Sequence, residues 1–342
     1  MKYLNTTIPI PWYCKSEKFK VEVEKIFLNS WQLIGPESKI PNVGDTIKLT
    51  ITKQPIIITR IDKNRIKAYF NICQHRGGPI VDENNCYQKF QCQYHGWIYT
   101  NEGELKNARG FDKSELKKSD FNLKEINVSV WNGLIFINFD KKCNPLKSIY
   151  EELEKRINKS KLSNYQFYKR DSYNISCNWK IYMDNYLEGL HIPLVHPELN
   201  KTINYKSYKT EIYDQFSLQW CSIDQNLNPY KNDSFEDLIA YYVTIFPNVI
   251  LNIAPGRLQT NIVEPIDEKS CMVHFDYYFE QMDKKQIQKD LDFSDTVQRE
   301  DIEICESVQA SYEAKGFKNG IISERHELGI LHFHSRLKEI LL

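Results

Sequence analysis

Two short stretches of this chain concentrate the side chains that bind metals and move protons. The first holds Cys73-Gln-His75 and Cys92-Gln-Tyr-His95, two Cys-His pairs with 16 residues between them. The second, NWKIYMDNYLEGLHIPLVHP from Asn178 to Pro197, holds His191, His196, Asp184, Glu188, Asn178 and Asn185 among aromatic and aliphatic residues. Thiolates with imidazoles suit zinc or iron–sulfur chemistry, whereas imidazoles with a carboxylate suit a catalytic divalent metal. Two different centres are therefore expected.

In the first stretch the spacing discriminates between metals. Structural zinc sites favour two to four residues between cysteines and three to five between histidines, not mixed Cys-His pairs. Two thiolates and two imidazoles are instead the ligand set of a Rieske [2Fe–2S] centre, where histidines replace two cysteines on one iron. Gly77, Gly78, Pro79 and Gly96 permit tight turns whose amides approach the sulfurs. Cys-x-His-Arg-Gly and Cys-x-x-His-Gly-Trp resemble the paired loops of the Rieske family. Cys73, His75, Cys92 and His95 are then the cluster ligands, and Cys86 is expected as a small buried residue.

In the second stretch His191 and His196 are five apart across Pro193, so they do not form the one-face pair of a His-Glu-x-x-His helix. Two histidines and one carboxylate on a single face make the site of a non-haem Fe(II) oxygenase, with positions left for dioxygen and substrate. The carboxylate is expected from elsewhere, and Asp301 is the candidate. It falls within the stripe Val297, Asp301, Ile304, Cys305 and Val308 of a helix expected over 294–314. A buried acid must be paired or must ligate a metal, so capping or an internal arginine is the alternative. Glu300 and Glu303 fall off that stripe and are expected in solvent.

The elements that position these residues follow from local pattern. Residues 16–30 have a helical period, and the short runs 46–52, 56–61 and 66–72 are β-rich. Residues 128–138 read as a hairpin around Asn132-Gly133, and 145–160 as a charged helix begun by a proline. Apolar residues from Cys177 to Leu190 have helical spacing, ended by Pro193 and Pro197. Lys plus Arg equals Asp plus Glu at 45 each, so no global field attracts nucleic acid or an anionic membrane. With neither a signal-type segment nor an apolar run of membrane-spanning length, and with nine scattered cysteines, a reduced cytoplasmic protein is expected.

Over most of its length the chain resembles the catalytic α subunit of the Rieske non-haem iron oxygenases. The choline monooxygenase-like branch of this aromatic-ring-hydroxylating dioxygenase family matches best. The likeness rests on CNWK, DNYLEGLHIPLVHP, FPNVILNIAPGRLQTN and SERHELGILHFH. The resemblance implies an α+β chain with an N-terminal segment at 1–40 packed on the catalytic domain. A Rieske-type antiparallel β domain at 41–160 and a helix-grip catalytic domain of the START (Bet v 1-like) type at 161–342 follow. It implies a [2Fe–2S] cluster and a mononuclear Fe(II) held by His191, His196 and Asp301. It also implies a homotrimer in which Glu188, with Asp184 in reserve, bridges to His95 of the next subunit. Leu190 departs from the family pattern, where an aromatic usually precedes the first iron histidine.

No Gly-x-Gly-x-x-Gly or P-loop is present, so electrons from NAD(P)H are expected through a separate reductase, with or without a ferredoxin. The substrate implied is a small organic molecule, such as a quaternary ammonium compound held by an aromatic cage. Tyr182, Tyr186, Trp220, Tyr241 and Tyr242 are cage candidates, although core packing explains most aromatics at such spacings. Ring dioxygenation, demethylation and pure electron transfer are the alternatives. His274, His326, His332 and His334 are expected to be structural, and Arg257 to sit in an ion pair.

Overall fold

A computed structural model describes residues 5–112, 114–157, 162–223, 239–280 and 283–342. The chain divides into two compact units, one of residues 28–146 and one of 1–27 with 147–342. The expected boundary at residue 40 lies earlier. Strand β2 (Gln32–Pro36) pairs with β11 (Leu134–Asn138) and so belongs to the first of these units. The other expected boundary, at 160, also shifts, because helix α3 (Lys147–Glu154) goes with the second unit. The last three residues of the helix expected over 145–160 lie outside the described residues.

Residues 28–146 form two antiparallel sheets. In the larger, β3 (Asp45–Ile51), β4 (Gln54–Arg60) and β5 (Ile66–Phe70) follow the expected β runs. β10 (Glu125–Trp131) and β11 close the expected hairpin through Asn132 and Gly133, both at positive φ, as a two-residue primed turn requires. The apolar sides of these strands, with Ile56, Ile58, Ala68, Ile135 and Ile137, make one core. The smaller sheet, β7 (Lys89–Gln91), β8 (Ile98–Thr100) and β9 (Leu105–Asn107), carries the second Cys-His loop. Phe90, Trp97 and Tyr99 give it a separate core with Cys73 and Cys92. Cys86 is exposed, against expectation, because it sits on a two-residue edge strand, β6 (Asn85–Cys86).

The second unit is built on a seven-stranded antiparallel sheet. Its strands are β12 (Gln166–Ile175), β13 (Lys209–Ile212), β14 (Phe216–Ser222), β15 (Ile239–Ile245), β16 (Val249–Ala254), β17 (Arg257–Asp267) and β18 (Ser270–Phe279), in the spatial order β12-β18-β17-β16-β15-β14-β13. Three helices cover it. They are α4 (Trp179–Tyr186), α7 (Lys284–Glu313) and α8 (Leu328–Leu341), with the short α5 (Ile192–Val195) and α6 (Pro197–Thr202) between α4 and β13. Ile287, Leu291 and Cys305 of α7 share an apolar cluster with Phe275, Tyr277 and Phe279 of β18, which is the helix-grip arrangement. The N-terminal helix α1 (Pro11–Cys14) joins the same cluster through Trp12 and Tyr13, and α2 (Ser16–Glu22) widens at Val23–Phe27 into a π turn whose Ile26 and Phe27 also join it.

Helix α4 starts where Asn178 accepts a hydrogen bond from the Lys180 amide, an N-cap. Its buried face includes a complete ion pair: Lys180 Nζ lies 2.7 and 2.8 Å from the two oxygens of Glu22, and both side chains are 0% exposed. Trp179 Nε1 also donates to Glu22 at 2.9 Å. Unpaired, either charge would be costly in such a place. The helix ends at Tyr186, four residues before the expected end. Glu188 is the local cause, since its carboxylate accepts both the Leu190 amide and His191 Nδ1. Pro193 and Pro197 do not terminate this helix; each lies in the first turn of its own short helix, where the missing N–H is tolerated.

Candidate functional site

The two Cys-His loops share one backbone design. Cys73 N donates to Gly78 O and Gly77 N to Cys73 O, at 2.8 and 2.9 Å, while Cys92 N donates to Trp97 O and Gly96 N to Cys92 O, both at 2.9 Å. Gly77 and Gly96 stand at φ +74° and +73°, a left-handed conformation that favours glycine. The loops therefore match cysteine to cysteine, with histidine at the third position in one and the fourth in the other. The rings of His75 and His95 come to 4.5 Å between centroids, and Trp97 stacks on His75 at 4.9 Å.

Both thiols of these loops are buried and free. Burial pushes the Cys73 thiol up, and the Tyr99 hydroxyl, 3.3 Å from its sulfur, acts the other way. Burial and the neighbouring His75 and Arg76 pull His95 down, towards the neutral ring. His75 Nδ1 is buried with no hydrogen-bond partner among the described residues. A buried ring nitrogen wants a partner, and two thiols plus two imidazoles converging on one spot suit an iron–sulfur cluster. The residues present fit that group.

In the second unit three side chains from distant parts of the chain meet. His191 caps the start of α5, His196 stands between α5 and α6, and Asp301 projects from α7. One ligand atom from each lies within 4.8 Å of the other two. Asp301 Oδ1 is 3.0 Å from His196 Nε2, 3.9 Å from His191 Nε2, and accepts from Asn185 Nδ2 at 2.6 Å. Each imidazole is held from behind by an acid. Glu188 contacts His191 Nδ1 at 2.5 Å and Glu300 contacts His196 Nδ1 at 2.7 Å. A carboxylate on one ring nitrogen fixes the tautomer and leaves the other nitrogen's lone pair for a metal. In this arrangement burial lowers His196 while Asp301 and Glu300 raise it, and the net shift is upward.

A cavity of about 170 Å³ opens beside the triad. Tyr182, Tyr186, Tyr208, Tyr242, Phe275 and Phe293 form its aromatic wall. The rings of Tyr208 and Tyr242 stack at 6.5 Å. Burial keeps the Tyr182, Tyr186, Tyr208 and Tyr242 hydroxyls protonated, so these rings stay neutral. Arg257 also lines the cavity with its charge matched by Asp290 at 2.9 Å, which leaves the aromatic faces as the dominant wall. Such a wall favours a small cation with apolar faces.

Residues 162–342, more than half of the chain, match the family described as the ring hydroxylating alpha subunit (catalytic domain). The chain belongs to that family of oxygenases. Residues 30–126 match the Rieske [2Fe-2S] domain, so the oxygenase has a Rieske cluster in its first unit and mononuclear iron in its second. The chloroplastic choline monooxygenase of Arabidopsis thaliana is 28% identical, over 97% of this chain and 82% of its own. The carnitine monooxygenase oxygenase subunit of Escherichia coli (strain K12) is 26% identical, over 98% and 93% respectively. Among solved structures, a quaternary ammonium Rieske monooxygenase superposes with a TM-score of 0.87 at 23% identity, covering 99% of this chain and 96% of that one. Naphthalene 1,2-dioxygenase gives 0.77 at 19% identity, covering 98% and 92%, and shares the fold.

The structure of this oxygenase also places Glu188 and Asp184 in different surroundings. Glu188 lines the cavity and touches His191, whereas Asp184 does neither. Asp184 projects from α4 toward α1 and α8, accepting from Tyr13 at 2.6 Å and facing His334 Nε2 at 2.9 Å. His334, expected to be structural, is accordingly in the core. Trp220 and Tyr241 do not line the cavity, because they point to the sheet face opposite their neighbours Gln219 and Tyr242. Trp220 instead donates to Glu211 at 2.8 Å.

Glu300, Tyr208 and Gln298 are not legible as site residues in the sequence, and Asn185 is legible only as a member of the second stretch without a role. Glu300, expected in solvent, is only 29% exposed and holds His196. Ile304 of the expected stripe is exposed instead, and the buried line of α7 runs through Leu291, Ser294, Gln298, Cys305 and Gln309. Polar residues on the inner face defeat a pattern search that looks for apolar ones. Among the described residues no helix is long and apolar enough to cross a membrane.

Proposed function

We propose that this chain is the terminal oxygenase component that hydroxylates a small quaternary ammonium compound. The observation that carries the reading is the His191–His196–Asp301 triad set into the wall of a tyrosine-rich cavity. An electron carrier has no use for such a cavity. The named activities of the choline and carnitine monooxygenase relatives support the same substrate class.

In this reading Cys73, His75, Cys92 and His95 hold the [2Fe–2S] cluster, and His191, His196 and Asp301 hold the mononuclear iron. When bound, the cluster supplies single electrons and the iron activates dioxygen. The chain's own part is to position and to shield. Glu188 and Glu300 hold the Nδ1 sides of the two imidazoles, keeping Nε2 turned to Asp301. Asn185 donates to Asp301 Oδ1 and orients that carboxylate. The aromatic rings of Tyr186, Tyr208 and Tyr242 exclude water and face the substrate's methyl groups.

Glu188 is assigned as the relay between His191 and His95 of a neighbouring subunit in a homotrimer, with electrons from NAD(P)H arriving through a separate reductase. One solved relative is described as giving insight into inter-subunit electron transfer. All nine cysteines are unpaired, which favours a reducing compartment such as the cytoplasm.

The test is a product screen with a surrogate reductase against choline-like, carnitine-like and aromatic substrates, with iron counted per chain. Hydroxylation of a quaternary ammonium compound, with iron beyond the cluster, is the expected result. Turnover of aromatic substrates alone would overturn the substrate class, and a protein with all its iron in the cluster and no oxygen uptake would overturn the oxygenase reading.

A further inference from the structure

Gln298 lies three residues before Asp301 on α7, about 4.5 Å along the helix axis, and is 1% exposed. It lines the same cavity as Asp301, His191 and His196. Its Oε1 accepts the Tyr182 hydroxyl at 2.8 Å. The carbonyl end of the amide thus faces Tyr182 and the NH₂ end is turned away. Gln298 Nε2 is buried and has no hydrogen-bond partner among the described residues.

Other carboxamides in the wall have protein acceptors for their donors. Gln259 Nε2 donates to Asn261 at 2.8 Å, Asn252 Nδ2 to Asn261 at 3.4 Å, and Gln219 Nε2 to the Tyr186 carbonyl at 2.8 Å. Gln298 differs from all three. A buried N–H left unpaired is costly, and a site built to donate to a ligand rejects the analogue that lacks the acceptor. The trimethylammonium end of a quaternary ammonium compound offers only C–H groups, so the acceptor must be elsewhere in the substrate.

We propose that Gln298 is a specificity-determining residue whose Nε2 donates a hydrogen bond to a hydroxyl or carboxylate oxygen of the substrate. The site then takes quaternary ammonium compounds bearing such an oxygen and discriminates against their oxygen-free counterparts. This rests on the quaternary ammonium reading above and deepens it.

The test is equilibrium binding to the iron-loaded protein of two matched pairs, choline with ethyltrimethylammonium and γ-butyrobetaine with propyltrimethylammonium. Wild type should prefer the oxygen-bearing member of at least one pair by about tenfold to a hundredfold. Gln298→Leu and the length-preserving Gln298→Met should lose that preference by weakening the oxygen-bearing member alone, with cluster absorption and iron content unchanged. A wild type that binds none of the four compounds overturns the substrate class and this inference with it. Equal affinities within both pairs, or variants that weaken both members alike, overturn the role of Gln298 and leave the substrate class standing.

Discussion

Removing the carboxylate of Glu300 should loosen the metal at the triad without touching any ligand. The bond to be lost is the 2.7 Å contact between Glu300 and His196 Nδ1, on a side chain of which 29% remains exposed. Loss of such a supporting carboxylate generally costs 10- to 100-fold in metal affinity. Partial solvation screens the interaction, so Glu300→Ala should fall near the lower end, about tenfold or roughly 1.4 kcal/mol. Glu300→Gln keeps an acceptor oxygen but not the charge and should fall between wild type and Glu300→Ala. The assay is Co(II) titration of protein stripped of its mononuclear metal, against a competing chelator, with cluster absorption as the concentration reference. It is run at about pH 8, so that protons do not compete for the metal-free imidazole. Glu303→Ala, on an exposed neighbour, is the control. Equal affinities for the Glu300 and Glu303 variants would refute the supporting role.

Three other outcomes are expected. Glu22→Ala strands the Lys180 ammonium in the core and should cost about 3–5 kcal/mol, seen in the melting temperature; Lys180→Met in the same chain should recover most of it. Asp184→Asn should lower the melting temperature through Tyr13 and His334 while turnover persists, whereas Glu188→Ala should lose turnover even when both metals are fully loaded, beyond any loosening of the metal through His191. The reverse pattern would exchange the two roles. The Arg156 guanidinium holds the Glu211 carboxyl down to about 2, below its ordinary 4.5. A depressed folded value means that its contribution is complete above pH 4.5 and is lost as pH falls toward 2. Glu211→Gln should therefore flatten the acid limb of the stability curve over that range, and an unaltered limb would count against the pair.

What the sequence determined by itself is local. Cys-Gln-His-Arg-Gly-Gly and Cys-Gln-Tyr-His-Gly-Trp specify two loops because a glycine at positive φ and a few backbone hydrogen bonds close them within six residues. Asn132-Gly133 specifies its hairpin for the same reason. The histidines of the triad were legible too, being separated by one proline-bounded helical turn.

Tertiary structure decided which acids serve them. Asp301 and His196 are 105 positions apart, and helical period alone could not say which face of α7 docks on the sheet. That docking buried Gln298 and drew Glu300 in, while leaving Ile304 exposed. Glu188 and Asp184 differ by only four residues, yet the break in α4 after Tyr186 turns one toward the histidines and leaves the other facing α1 and α8. Turn chemistry is written in adjacent residues, whereas the partner of a buried polar group is chosen by packing across the whole unit.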